Sequence, residues 1–326
     1  MSIIRDPHTT ALLNAAQSLP LQVTDLAPAW QIDAIRLSYQ EHHEIIVDGR
    51  EYSHLSYQAA QWADDKHISK IILDNCGVST PHHYLLDLES DLPLKDQLKD
   101  MVEGPAYVCK PLYGTDGHAV GMHKLDLMDI EMHMDAFRDA YQYWMLEEQI
   151  AGEDLRIQVI GGQIAAACRR LPAYVIGDGE HDLEHLIGLY NEKIQQLNPN
   201  NLLELDADSR KLMREQSVYL DSMIPLDQKI QLKYISNMGQ GGIAIDVTDE
   251  LHPQYQEVVE RVGKAFGFRT FALDGIVPDC TQPPSDGFKA LEVNAKAQWM
   301  HHTFSEVRTH DIPKLILMDL FPELGQ

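Results

Sequence analysis

The stretch FALDGIVPDCTQPPSDGFKALEVN, residues 271–294, holds two short apolar runs separated by a segment rich in proline and glycine. Each run has the length and composition of a β-strand, so the stretch reads as two strands and their connection. Side chains alternate across a strand, which sends Glu292 and Asn294 to one face and Leu291 and Val293 to the other, into a core. Asp274 sits inside the first run, where an acid among apolar neighbours is costly to bury without a counter-ion. Two carboxylates and a carboxamide on adjacent strands suit Mg²⁺, a hard cation that shares its shell with phosphates and water. The same three residues also fit the solvated face of an edge strand, with Asp274 opening a turn.

The rest of the chain is punctuated in the same manner. Residues 253–267 place Tyr255, Val258, Val259, Val262, Ala265 and Phe266 on one helical face. LRIQVIGGQIAAACRR (155–170) reads as a β-hairpin turning on Gly161-Gly162, and WMLEEQI (144–150) as extended chain. AYVCKP (106–111) is a strand that runs into YGTDGHAVG (113–121), whose glycines permit close backbone approach. DDKHISKIILDNCG (64–77) predicts a helix with Ile68, Ile71 and Ile72 as its apolar stripe and Gly77 just past its end. EIIVDGREYSHLS (44–56) predicts a hairpin around Asp48-Gly49. Helices mixed with largely antiparallel strands imply an α/β or α+β layered fold.

The basic residues are few. Lys110 ends a strand just before the glycine loop 114–121, where backbone N–H groups can cradle an anion and an ammonium adds charge. The loop is neither a Walker A nor a Rossmann fingerprint, and by itself it equally fits a plain glycine-rich hairpin turn. Lys66 and Lys70 lie four apart on one helix face, and Arg156 and Arg170 could reach one site across the hairpin. Taken singly, each of these also reads as surface charge beside acidic neighbours.

The 326 residues, 44% hydrophobic and 23% charged, are of globular composition and exclude wholesale disorder. Acidic residues number 50 against 26 basic, a formal charge of -24, which disfavours general binding to nucleic acid or anionic membrane surfaces. Cys76, Cys109, Cys168 and Cys280 are too dispersed for a disulfide framework or a zinc site, which fits a reducing compartment. Nothing approaches the ~20 apolar residues of a membrane span, and the first residues do not read as a signal peptide, so a cytoplasmic location is expected.

In order along the chain, DKHISKIILDNCGVSTP (65–81), YVCKPLYGTDGHAV (107–120), MLEEQIAGEDLRIQVIGGQI (145–164), FALDGIVPD (271–279) and ALEVN (290–294) resemble the motifs of the ATP-grasp superfamily of carboxylate-amine ligases. RRLPAYVIGDGEHDLEHLIGLYN (169–191), NMGQGGIAIDVTDELHP (237–253) and the ending IPKLILMDLFPE (312–323) are similar to segments in the ATP-grasp parts of cyanophycin synthetase and bifunctional glutathione synthetase. The resemblance runs from about Asp64 to the C-terminus. It implies an ATP-grasp fold of two α+β subdomains clasping a nucleotide, with a pre-grasp segment over 1–62, a central subdomain over 63–145 and a C-terminal subdomain over 146–326.

The resemblance also implies roles for individual residues. Lys70 and Lys110 match the lysines on the α/β-phosphates. Gly114, Thr115, Asp116, Gly117 and His118, continuing to Val120, match the mobile loop over the β/γ-phosphates. Glu147, Glu148, Gln149 and Ile150 match the hinge whose backbone holds adenine, and Asp154 the ribose-binding acid. Asp274, Glu292 and Asn294 match the ligands of one or two magnesium ions, with manganese as a substitute. Arg156 and Arg170 match basic positions facing the transferred phosphoryl group or the substrate carboxylate. The implied chemistry is amide or peptide bond formation through an acylphosphate, with ATP and small-molecule carboxylate and amine substrates as partners, no nucleic acid or membrane, and a homodimer. The alternatives are extension of a protein or poly-amino-acid chain end, and a non-catalytic ATP-binding regulatory module. Two departures from the family pattern bear on this: Ala119 stands where the loop usually has glycine, and AKAQWMHH (295–302) replaces the usual Pro-Gly turn after the metal asparagine while keeping Met300-His301. A structural role is the expectation for His301 and His302.

Overall fold

The computed structural model describes residues 3–101, 105–114, 117–124, 126–197 and 202–325. Its first unit is α1 (Pro7–Ala16), β1 (Gln22–Asp25), a short helix α2 (Ala27–Trp30), β2 (Ala34–Tyr39) and β3 (His42–Val47), the strands forming an antiparallel sheet ordered β1-β2-β3. Asp6 caps α1 by accepting from His8 N–H at 2.8 Å, and Pro7 fills the first turn, where a missing N–H costs nothing. Asp48 and Gly49 both take positive φ, 50° and 63°, as the expected two-residue turn requires, although the returning chain makes only a single bridge, Val47 with Glu51.

Helices α3 (Tyr57–Asp64) and α4 (Lys66–Asn75) follow, and Asp65 caps α4 by accepting from His67 and Ile68 N–H at 3.0 Å each. The helix is where the hydrophobic pattern predicted, but it is rotated. Its buried side carries Lys66, Ser69, Lys70 and Leu73, whereas Ile68 is 38% and Ile71 46% exposed. The expectation of an inward isoleucine stripe is therefore corrected for Ile68 and Ile71, while Ile72 packs against the core: the lysines turn inward because carbonyl and carboxylate partners await them there.

A four-stranded antiparallel sheet ordered β4-β7-β5-β6 comes next. It comprises β4 (His83–Asp87), then a short helix α5 (Leu94–Gln97), β5 (Tyr107–Pro111), β6 (Gly121–Lys124), α6 (Leu127–Asp135) and β7 (Tyr143–Glu148). Its core gathers Leu86, Tyr107, Cys109, Ile130, Met134, Trp144 and Leu146.

The hairpin β8 (Glu153–Ile160) and β9 (Gln163–Leu171) turns on Gly161-Gly162, both at positive φ. After it comes an inserted unit with its own core, built from β10 (Tyr174–Ile176), α7 (Leu183–Leu197), α8 (Ala207–Glu215) and β11 (Lys229–Gln231). The chain then returns through β12 (Ile243–Asp246), α9 (Tyr255–Phe266), β13 (Phe271–Val277) and β14 (Lys289–Asn294). It ends in a 3₁₀ turn at Trp299–Thr303 and α10 (Ile312–Leu320). The resulting five-stranded sheet, ordered β12-β9-β8-β13-β14, is antiparallel throughout.

This large sheet has two unlike faces. Leu155, Ile157, Val159, Leu273 and Val293 pack under α3, α4 and α9, where Val258, Val259, Val262 and Phe266 fill the layer. Each such side chain taken out of water contributes about 1.5–3 kcal/mol. On the opposite face, Ile160 and Ala166 join α1, β2, β3, Trp299 and α10 in a second core. Residues 62 and 63, where the first expected boundary falls, are consecutive positions in α3, a helix packed on the large sheet. Among the described residues no helix is long and apolar enough to cross a membrane.

Candidate active site

The four-stranded sheet supplies one wall of the site. Val108, Glu147 and His83 are direct cross-strand partners, and Lys110 lies two residues along β5 from Val108, on the same face. Glu147 reaches two ammonium groups at once: Oε2 is 2.5 Å from Lys70 Nζ, and Oε1 is 3.0 Å from Lys110 Nζ. Lys70 is fully buried and Glu147 nearly so, while Lys110 keeps a small exposure. Burial pushes the Glu147 carboxyl up, but the two lysines outweigh it and hold the group below the usual carboxylate range. Burial holds Lys70 below the ordinary lysine value, against the pull of Glu147.

Lys66, one turn before Lys70, donates to the carbonyls of Leu112 at 3.3 Å and Gly114 at 2.8 Å. No carboxylate of the described residues lies within ion-pair distance of it. It is a third cation at the stem of the glycine loop, which the sequence flagged only as one of two lysines on a helix face.

The large sheet supplies the opposite wall. Asp274 and Glu292 are direct partners across β13 and β14, as are Ala272 and Asn294, so the three expected metal ligands share one face. Asn294 Nδ2 donates to Asp274 Oδ2 at 3.2 Å, which leaves its amide oxygen turned away from that carboxylate. Arg156 and Arg170, from neighbouring strands, meet the same Oδ2 at 3.1 and 3.2 Å and are the counter-ions that a buried acid here needs. Asp274 Oδ1 is buried with no partner. Burial, then the facing Asp274, push the Glu292 carboxyl up, while Lys66, Lys110 and Arg156 pull it down.

That triad fits a magnesium ion that is only partly enclosed by protein. Among the described residues no three or more His, Cys, Asp or Glu side chains converge as a metal cage. Two carboxylates, one of them with the unpartnered Asp274 Oδ1, and one amide oxygen leave the rest of an octahedral shell to phosphate oxygens and water, as Mg²⁺ prefers. The two walls meet because α4 bridges them: it carries Lys66 and Lys70 and packs beside β14 in one core. Ser79 closes the junction by accepting from Ala290 N–H at 2.8 Å and from Lys289 Nζ at 2.6 Å.

The remaining expected residues are distributed as follows. The N–H groups of Glu148 and Gln149 are spent on the carbonyls of His82 and Ala106, at 2.9 and 2.8 Å, and Ile150 continues the chain just beyond β7. Asp154 is not an open acid: Arg170 donates to its Oδ1 from two nitrogens, at 2.7 and 3.0 Å, and Ser236 to its Oδ2. Its neighbours draw it into the Asp274 network. In the loop, the Gly114 carbonyl accepts from Lys66 and His118 Nδ1 lies 2.8 Å from the Tyr141 hydroxyl beside Phe137, while Thr115 and Asp116 lie outside the described residues. Ala119 adopts φ 56°, the left-handed conformation that glycine takes freely, and its carbonyl lies 2.9 Å from His133 Nε2.

Sequence reasoning treated Glu147 as hinge backbone and missed its side chain as the clamp between two lysines. The signal was available in the pairing of an acidic strand end with a lysine on the next strand, but Lys70 reaches it only through tertiary packing.

No family model matches this chain. The chain is 29% identical over 304 residues to the glutathione biosynthesis bifunctional protein GshAB of Mannheimia succiniciproducens, covering 89% of this chain and 39% of that protein. It is 31% identical over 272 residues to cyanophycin synthetase of Crocosphaera subtropica, covering 81% of this chain and 31% of that protein. The chain thus spans between 31% and 39% of the length of these two relatives. The crystal structure of a bifunctional glutathione synthetase from Pasteurella multocida superimposes with a TM-score of 0.70 at 24% identity, covering 97% of this chain and 43% of that one. The chain thus has the ATP-grasp fold and is similar in sequence to these two relatives over four fifths or more of its length.

Proposed function

We propose that this chain is an ATP-dependent ligase that joins a carboxylate to an amine through an acylphosphate. One observation carries the reading. The Lys110–Glu147–Lys70 clamp and Lys66 lie near the Asp274–Glu292–Asn294 triad, close enough that Lys66 and Lys110 draw the Glu292 carboxyl down, so positive charge and hard oxygen ligands adjoin where a polyphosphate would lie. A carboxylate is a poor electrophile, and phosphorylation gives it a leaving group. Bound magnesium, one ion or two and replaceable by manganese, would neutralise polyphosphate charge.

The chain's own residues supply position and field. Lys110, turned toward the cleft while anchored by Glu147, holds an ammonium on the nucleotide phosphates. Lys70 is too buried to serve as a free surface cation. Its role here is to hold Glu147 and thereby fix Lys110. The chain around Glu147, Glu148, Gln149 and Ile150 forms the rim for adenine, with Asp154 and its Arg170 partner beside the ribose. Arg156 and Arg170 present guanidinium groups where charge develops on the acyl oxygen and the departing phosphate. The loop 114–121 excludes water that would hydrolyse the activated acyl group. Small amino acids or short peptides are the substrates in this reading, and the protein is cytoplasmic and acts as a homodimer.

The test is a matrix of amino acids and dipeptides incubated with the purified chain, Mg²⁺ and ATP, with phosphate release and condensed products followed by mass spectrometry. Release that depends on a carboxylate and amine pair, with a product lighter by one water than the sum of its parts, supports the reading. Nucleotide binding without product across the matrix would favour the regulatory alternative.

A further inference from the structure

Strand β6, at the edge of the four-stranded sheet, is bulged. Two steps along β5, from Tyr107 to Cys109, correspond to three along β6, from Lys124 to Gly121, so the pair Met122-His123 stands opposite Val108 alone. His123 takes φ 55°, a left-handed conformation that a residue other than glycine keeps only where its surroundings hold it there. Two elements hold it. From just beyond β7, Gln149 grips it at two points: Oε1 accepts from the His123 backbone N–H at 2.9 Å, and Nε2 lies 3.2 Å from Nδ1 of the ring. An amide Nε2 only donates, so Nδ1 accepts and the ring proton sits on the other nitrogen. The ring also meets Tyr234, with centroids 6.1 Å apart and planes at 66°, an edge-to-face contact.

Tyr234 lies on the segment by which the chain leaves the inserted unit, and each residue of that segment has a specific partner. Lys233 reaches Asp206, the cap of α8, at 2.6 Å, and the Tyr234 hydroxyl donates to Glu215, the last residue of α8, at 2.7 Å. Ile235 lies against the glycine loop: a Cβ on Gly117 would come within 2.6 Å of its Cδ1. Ser236 donates to Asp154. The contacts form a circuit from Gln149 to His123 to Tyr234, and through Ile235 and Ser236 back to the loop and to Asp154. His123 stands where its arms meet, on the strand that continues the loop. A bulge that served only to guard a sheet edge would need neither the amide grip nor the aromatic contact.

We propose that His123 is a positioning residue that couples the adenine rim to the inserted unit, so that a nucleotide seated at the rim restrains the glycine loop and the inserted unit together. The inference rests on the ligase reading, which puts Gln149 at the rim, and adds to it the route by which nucleotide binding reaches the inserted unit. A base settled on residues 147–150 restrains Gln149, whose amide holds β6 at His123. The ring passes the restraint to Tyr234 and, through Glu215, to α8. The coupling is reciprocal, so whatever seats the inserted unit against His123 also favours nucleotide at the rim.

The test is hydrogen–deuterium exchange, read by mass spectrometry, on the full chain in Mg²⁺ with and without a saturating non-hydrolysable ATP analogue. In the wild type the analogue should slow exchange about fivefold or more in α8 and β11, elements that carry none of the residues assigned to the nucleotide. His123→Gly keeps the backbone N–H for Gln149, relieves the left-handed conformation and removes the ring. Tyr234→Leu removes the same contact from the inserted unit's side. Both variants should bind the analogue and keep its protection of β5, while its protection of α8 and β11 is lost. A merely structural ring would raise exchange equally with and without the analogue and leave the difference intact. Survival of that difference in either variant overturns the proposal, as does its absence from a wild type that binds the analogue, and in both cases the ligase reading stands. A wild type that binds no analogue removes the ligase reading and this proposal together.

Discussion

Replacing Glu147 by glutamine tests whether its carboxylate is the keystone of the cation wall. The side chain is 3% exposed and paired with Lys70 at 2.5 Å and Lys110 at 3.0 Å, and Lys70 has no solvent exposure. In Glu147→Gln, Lys110 can turn outward, but Lys70 stays buried as an uncompensated ammonium. Removing one partner of a buried pair costs about 3–5 kcal/mol, a large part of a total stability of about 5–15 kcal/mol. With a urea slope of about 3 kcal/mol/M, the unfolding midpoint should fall by about 1–1.7 M, readable in the fluorescence of Trp144, three residues along the same strand. The deficit should shrink as pH rises. In the variant, the Lys70 pKa in the folded state lies still further below its unfolded value of about 10.4, so between the two the unfolded chain binds more protons and folding gains stability with pH. Lys70→Met combined with Glu147→Met should recover most of the stability, because two apolar residues leave no charge stranded, yet should not recover nucleotide affinity. A midpoint shift below about 0.3 M at pH 7, or a deficit that widens toward pH 9, would refute the clamp.

Three further outcomes are expected. Glu292→Gln should abolish magnesium-dependent phosphate release while the circular dichroism spectrum stays native, and undiminished turnover would discredit the triad. Lys110→Ala should weaken binding of an ATP analogue about 10- to 100-fold, the worth of a charge-assisted hydrogen bond, by fluorescence titration; an unaltered curve would remove Lys110 from the phosphate site. Ala119→Gly relieves a left-handed alanine costing about 1–2 kcal/mol but adds chain entropy of about 0.5–1 kcal/mol. Its thermal midpoint should therefore hold steady or rise slightly, and a marked fall would show that the packing of this nearly buried methyl dominates.

What could be read from the sequence was whatever depends on alternation and turn chemistry. Val293 faces the core and Glu292 and Asn294 the cleft because a strand permits no other arrangement. The hairpin at Gly161-Gly162 places Arg156 and Arg170 where both can reach Asp274, so the counter-ion that its burial demanded is supplied by the next two strands. Helix α4 resisted the same logic. Its isoleucine pattern predicts one rotation, and the structure adopts another, because two lysines find a carboxylate and two carbonyls on the inner side worth more than the burial of Ile68 and Ile71. The energy that sets that rotation belongs to Glu147, Leu112 and Gly114, some 40 to 80 positions away in the chain, and no local window contains it. Residues that pack an element thus announce themselves by period, while residues that bind across elements do so only when the partner strand is known. In this fold the second kind builds the cleft, which is why the Asp274 face could be anticipated strand by strand and the lysine wall could not.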